Sequence, residues 1–482
     1  MTLSGAINNA VGGLTANTRS AAIVSSNIAN ALTESYARRE LVVSSDATST
    51  HGGVRVNGVL RHVDPVIQAQ RRIADGQSGQ AGDLQTFHTE MERIFGQITD
   101  ETSLSGRLTQ FETSLITAAA DPSSNQRLTN VAQAATALSD KLNAVAKRVQ
   151  DVRSEAEFTI ANLTDQLNDN LKVVEDLNKR VSAALHTGQD ASALLDQRQQ
   201  AVDRISELVP IRLLPRDRDT VAIVTTGGAI LLDGNAAEFS FTRANEITAQ
   251  MTAKDGALSP LSMNGRPVNM GGSGPFAGGR LAAQFEIRDQ LAPATQTRLD
   301  ALALDLAAAF GPGGVDTTVP PGQAGLFTDL GSEAVAANET GLAERLRLNV
   351  AVAPNEGQPW RLRAGLFAAS PGAAGDGALL TAMRDRLNTA TSPASENLPQ
   401  ISQTLFVRFA EAMTEVADAR VDSDRSLASI NAQRTALKEL EFAGGVDSDA
   451  ELERLMMIEQ NYAANAQVIS VANDLIQRLL SI

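Results

Sequence analysis

Histidines are the residues best suited to acid–base or metal chemistry in this 482-residue chain, and there are four: His51, His62, His88 and His186. None forms a His-x-x-x-His pair, and no Cys is present to complete a zinc site or act as a thiolate nucleophile. His88 reads as a helix-surface residue. No Gly-x-Ser-x-Gly marks a hydrolase elbow. "GGSGPFAGG" at 271–279 comes nearest to a phosphate loop, but Ala277 stands where the third Gly of Gly-x-Gly-x-x-Gly belongs and no P-loop Lys is present. It reads as a linker. "DSDAE" at 447–451 offers Asp447 and Asp449 as calcium ligands yet lacks the Gly and closing Glu of a calcium loop, and reads as a helix cap. Asp422 and Asp424 are two neighbouring carboxylates in a chain with 56 acids, a coincidence of composition. The expectation is therefore a chain that is not an enzyme and holds no cofactor and no metal.

Composition narrows the alternatives. A net charge of −15 argues against a nucleic-acid partner, because phosphate binding needs clustered Lys and Arg. With aromatics at 4%, packing by Ala, Leu and Val is expected rather than an aromatic-lined ligand cavity. The absence of Cys removes disulfides. "MTLSGAINNAVGGLTANTRS" has no basic region, continuous apolar core or A-x-A site, so no cleaved secretory signal is expected, and no stretch approaches a transmembrane span.

The elements that would position any site divide at Gly and Pro. Residues 211–400 hold 22 of the 36 Gly and 13 of the 16 Pro, which marks a β and loop region inserted into a helical frame. From Leu128 the apolar positions Val131, Ala135, Leu138, Leu142, Val145, Val149, Val152 and Ala156 alternate steps of three and four. Leu163, Leu167, Leu171, Val174, Leu177, Val181 and Leu185 carry a looser stripe onward. This predicts one helix of about 60 residues, a rod of roughly 90 Å, packed side by side with others. Ser123, Ser124 or Asn125 would cap it, and Gly188 would interrupt it. "SALLDQRQQAVDRISELVP" restarts a helix that ends before Pro210, and a return helix over 279–310 is weakened or kinked at Pro293. "TVAIVTTGGAILLDG" reads as strand, turn, strand.

The two ends read as partners. Leu3, Ile7, Ala10, Leu14, Asn17, Ala21, Val24 and Ile28 make one apolar stripe, and Leu455, Ile458, Tyr462, Asn465, Ile469, Ala472, Ile476 and Leu479 make another. Each covers one face, so neither helix hides it alone. A membrane-surface helix would carry Lys and Arg on its polar face, whereas the last helix offers only Arg454 and Arg478, against Glu451, Glu453, Glu459 and Asp474. An antiparallel coiled coil of the two helices is therefore expected. Setting Leu3 beside Leu479 pairs Ile7 with Ile476, Leu14 with Ile469 and Asn17 with Asn465, and an Asn pair in an apolar seam fixes register. Ser448 and Glu451 read as a capping box at the start of the last helix.

"SSNIANALTESYARRE" resembles the N-terminal signature of bacterial flagellar axial proteins, with Asn27, Asn30, Thr33, Tyr36 and Arg38 at matching places and Ser35 where a Gly is usual. "EQNYAANAQVISVANDLIQRLL" resembles their C-terminal signature, through Tyr462, Asn465, Ala466, Val468, Ile469 and Leu479. "LLDQRQQAVDRISELV", "SLITAAADPSSNQRL" and the "GGRL" return helix are similar to segments of hook-associated proteins of the FlgK family. Another axial protein, hook or distal rod, is the alternative, and it would lack the "LLDQR" segment. The resemblance implies an extended multi-domain protein, mainly α with inserted β. Residues 1–60 would pack with 446–482 as an inner-tube unit. A helical rod would take 61–210, 280–310 and 398–445, a β-rich outer domain 211–279, and a loop-rich outer or connecting segment 311–397. It also implies export without signal cleavage and assembly as a ring between hook and filament. The implied partners are further copies of the chain, the hook protein, a second hook-associated protein on the filament side, and an export chaperone on the C-terminal helix, with no membrane partner.

Overall fold

A computed structural model describes residues 3–33, 35–45, 53–97, 99–272 and 274–481. The chain runs α1 (Leu3–Ala29), β1 (Arg39–Ser45), β2 (Val54–Arg61), α2 (Pro65–Phe95), α3 (Leu104–Ala120), α4 (Asn125–His186) and α5 (Ser192–Leu208). Seven short strands follow: β3 (Ile211–Pro215), β4 (Val221–Thr225), β5 (Ile230–Asp233), β6 (Asn235–Ala236), β7 (Phe239–Ser240), β8 (Ser262–Met263) and β9 (Arg266–Pro267). The chain then returns through α6 (Gly279–Glu286), α7 (Ala292–Ala309), β10 (Phe327–Asp329), α8 (Leu342–Arg345), β11 (Leu346–Leu348), α9 (Arg361–Ala364), α10 (Ala378–Asn388), α11 (Leu405–Ala443) and α12 (Ser448–Leu480).

Both apolar cores are built along α4. Its 62 residues, at about 1.5 Å each, make a helix about 90 Å long. Ser124 caps it, the side chain accepting from the Arg127 amide at 3.4 Å. The seam residues from Leu128 to Val181 are buried, each Leu or Val contributing roughly 1.5–3 kcal/mol when fully enclosed. Leu185, past the end of the packed face, is exposed. Gly188, at φ +70°, supplies the left-handed turn that ends the helix.

Two apolar cores lie along α4. The first joins the C-terminal half of α2, α3, the first half of α4, α7 and the start of α11 around Phe111, Phe310 and Phe327, whose rings meet 5.9–6.0 Å apart. Residues 311–397, expected as a loop-rich outer or connecting segment, pack into this core through Leu342, Leu346, Leu362, Leu380 and Met383. Their elements are too short for periodicity to reveal. The second core joins α4 from Ile160 to Val174 with α5, α6 and the antiparallel sheet β3–β4–β5–β6.

Between the cores sits a buried charged layer. Arg288 donates to Glu157 at 2.7 Å, and both are fully enclosed. The kink expected at Pro293 takes the form of a π-helical turn over Ile287–Leu291. The Ala292 amide goes to the Ile287 carbonyl, and Pro293 has no amide to give. The Arg288 carbonyl instead accepts the Nε–H of buried Arg153 at 3.1 Å. Arg153 also donates to the Thr248 and Met251 carbonyls, tying the 241–261 segment to the rod.

Candidate assembly interface: the terminal helices and their joint to the rod

α1 and α12 lie antiparallel. Asn27 near the end of α1 meets Glu451 near the start of α12, and further along the pair a Cβ on Gly13 would come within 2.9–3.1 Å of the Asn465 amide. Leu3, Ile7, Leu14 and Ile28 of α1 and Leu455, Ile458, Ile469 and Ile476 of α12 are half-buried, and Val24 and Ala472 are buried. Tyr462 and Leu479 are exposed.

The expected pairing of Asn17 with Asn465 does not occur. Gly13, one helical turn earlier, takes the place opposite Asn465, which donates to the Asn461 carbonyl of its own helix at 3.0 Å. The buried Nδ2 of Asn17 has no partner. Stripes that alternate three and four residues match equally well one turn apart, so they do not choose a register. A polar clamp chooses it. Buried Asn27 accepts from the Tyr36 hydroxyl at 2.9 Å and the Arg39 amide at 3.0 Å, and donates to the Arg39 carbonyl and to Glu451, both at 2.9 Å. Glu451 also accepts from Arg38 at 2.8 Å and Arg454 at 3.1 Å. The expected capping box is therefore corrected. Asp447 caps α12, accepting from the Asp449 and Ala450 amides, which frees Glu451 to reach across to α1.

The turn out of α1 explains the rest of the signature. Asn30 donates to the Ser26 carbonyl at 2.8 Å and accepts from the Thr33 hydroxyl at 3.4 Å. Ser35 has φ +64°, the left-handed region in which Gly is the unstrained choice. Burial pulls the Arg38 guanidinium down, but Glu451 and Glu40 outweigh it and hold its pKa above the ordinary value.

β1 and β2 pair antiparallel from Arg39↔Arg61 to Ser45↔Val54, and this hairpin meets the rod through charge. Asp196 on α5 accepts from Arg39 and, at 2.7 Å, from Arg61, and Gln199 accepts from Arg61 as well. Two turns further along the same face of α5, Asp203 accepts from Arg71 and Arg72, each at 2.7 Å. Arg71 reaches Asp75 and Glu441 too, so one guanidinium binds α2, α5 and α11 together. Burial opposes its charge, yet Asp203, Glu441 and Asp75 raise its pKa above the ordinary arginine value.

The other residues weighed for chemistry are dispersed. His62 lies 2.9 Å from Glu40, His186 is the last residue of α4, and His51 is outside the described residues. His88 is half-buried, set edge-on to Phe87 at 5.1 Å, rather than on the open helix surface. Burial lowers its pKa. Asp422 pairs with Arg425, and Asp424 with Arg420 and Gln85. Gly279 serves packing, since a Cβ there would stand 2.4 Å from the Leu208 carbonyl oxygen. Among the described residues no three His, Asp or Glu converge as a metal site, and no helix is long and apolar enough to cross a membrane. Sequence reasoning missed the roles of Glu451, Arg61, Arg71, Asp196 and Asp203. A signal was available in the steps of three and four that set Asp196, Gln199 and Asp203 on one polar face of α5.

Comparison with known proteins agrees with this architecture. Residues 88–312 match the flagellar hook-associated protein FlgK helical domain, and residues 443–482 match the C-terminal region of flagellar basal body rod FlgEFG proteins. Flagellar hook-associated protein 1 of Salmonella typhimurium is 29% identical over 324 residues, covering 64% of this chain and 56% of that protein. The match thus spans little more than half of that relative's length. Flagellar hook-associated protein 1 of Bacillus subtilis is 21% identical over 488 residues, 94% of this chain and 93% of that protein. The solved flagellar hook junction protein FlgK from Burkholderia pseudomallei shares the fold with a TM-score of 0.58 at 14% identity, over 77% of this chain and 99% of that one. The helical-domain match falls on the rod and the C-terminal match on α12, so the chain is similar to flagellar hook-associated proteins of the FlgK family in its helical frame and at its C-terminal helix.

Proposed function

We propose that the chain is a structural subunit of the bacterial flagellum, forming the junction ring between hook and filament and required for filament attachment. The observation that carries this reading is the terminal helix pair on a FlgK-type rod. α12 turns one face to α1 and leaves Met456, Met457, Val468, Val471, Leu475 and Leu479 exposed, an apolar surface that further copies of the chain would cover. In this reading α1 and α12 form the inner tube, the helical rod the next layer and the strands of 211–279 the outside. Residues 1–60 with 446–482 act as one unit. The partners are other copies of the chain, the hook protein and a filament-side hook-associated protein, and an export chaperone holds α12 before uncleaved export to the cell exterior. Deleting the protein from its motile host tests the reading. Hooks without filaments, with filament protein shed into the medium, are the expected outcome. Loss of the hook itself would point instead to a hook or rod component.

A further inference from the structure

Neither apolar core contains a residue from α1, β1, β2 or α12. The contacts that join this terminal unit to the rod are polar: Arg39 and Arg61 to Asp196, Arg61 to Gln199, and the Ser35 hydroxyl to Asp203 at 3.4 Å. Where apolar packing would be expected there is a cleft of about 960 Å³ instead, with Ile23, Val59 and Leu60 on one wall and Leu185 and Leu195 on the other. The hairpin is firmly attached on its other side, because Asn27 holds both the amide and the carbonyl of Arg39. The hairpin therefore moves with α1, and Asp196 takes both of the ion pairs that hold it to the rod.

We infer that Asp196 is an ionic latch that sets the orientation of the whole terminal unit on the rod, and that releasing it frees the unit to swing without unfolding either body. The three side chains are each about 15% exposed, so the latch is partly desolvated, strong enough to fix one orientation yet open to screening by salt. A single carboxylate serves two guanidiniums, so neutralising it removes both ion pairs of the joint at once and leaves only the neutral contacts to Gln199 and from Ser35. An apolar interface of the same extent would make orientation a property of shape, insensitive to salt. This inference concerns the free chain and stands apart from where the protein sits in a flagellum.

The chain has no Cys, which makes site-directed spin labelling direct. Labels at Arg55→Cys on the hairpin and Asp176→Cys on α4 would report the angle of the joint by pulsed electron paramagnetic resonance. The expected result in the full-length chain at about 0.1 M salt is one narrow distance distribution. Asp196→Asn, or about 1 M salt in the unsubstituted background, at least doubles its width, and Asp196→Glu largely restores it. The circular dichroism melt of the long helices stays unchanged in all variants. A distribution that stays narrow in Asp196→Asn, or one already broad in the unsubstituted background, would overturn the inference. So would a melt lowered in step with the broadening, because Asp196 would then be holding the rod together rather than the joint.

Discussion

Replacing Glu451 by Ala should unfasten the terminal helices from the inside. The carboxylate is about 1% exposed and accepts from Asn27, Arg38 and Arg454. Removing one partner of a buried charge pair costs about 3–5 kcal/mol, largely through the charge left behind. Arg38 keeps Glu40 at 3.2 Å and Asn27 keeps its bonds to Arg39, which places the cost near the lower end, about 3 kcal/mol. At about 1.4 kcal/mol per decade, the population in which α12 is undocked from α1 at its base rises about 100-fold. Hydrogen exchange followed by mass spectrometry reads this directly. Amides of 24–29 and 448–455 should exchange up to about 100-fold faster, while those in the middle of α4 keep their protection. Glu451→Gln, which retains an acceptor for Asn27 but loses the charge facing Arg38, should fall between. Unchanged exchange in Glu451→Ala would refute the clamp, and acceleration spread equally through α4 would show a general loss of stability instead.

The same geometry sets other outcomes. Asn17→Leu removes a buried amide donor that has no partner and should slow exchange in α1, corresponding to about 1 kcal/mol; faster exchange would mean that Asn17 has a partner after all. Gly279→Ala brings a Cβ against the Leu208 carbonyl at φ +75° and should cost about 2–4 kcal/mol, read as a lowered melting temperature. Burial pushes the Asp300 carboxyl up to about 6, against the amides of Ala343 and Gly341 and the side chain of Gln296. The folded chain then holds that proton more tightly than the unfolded one, so this contribution is complete below about pH 3.8 and lost as pH rises through 6. It amounts to about 3 kcal/mol, and Asp300→Asn should flatten that part of the stability profile. Limited proteolysis of the free chain should cut within 3–24 and 455–480, outside the clamp, before it cuts the rod; uniform resistance there would contradict the open apolar faces of α12.

How far the fold can be read in advance depends on the range of the interactions involved. α4 was legible because its seam repeats from Leu128 to Val181 and its cap, Ser124, is local. The strand–turn–strand of β4 and β5 was legible for the same reason. The antiparallel terminal pair followed from two one-sided stripes. Its register did not, because it depends on Asn27 meeting Glu451 across 424 residues of chain. Glu451 also sat three residues after Ser448, where a capping box offered a sufficient local explanation, and only Asp447 taking the cap reveals its other use. The kink at Pro293 was foreseen, but not the buried Arg153 that satisfies the carbonyl it orphans. The ionic joint was half visible. "LLDQR" carries Asp196, but nothing local says that Arg39 and Arg61 converge on it.

The claim that this chain is the hook–filament junction subunit is tested most directly by its position in the organelle. A gold-labelled antibody against the strand-rich residues 211–279, applied to intact flagella from the native host, should mark a single narrow band where hook meets filament. Label along the length of the hook, within the rod, or nowhere on assembled flagella would contradict it.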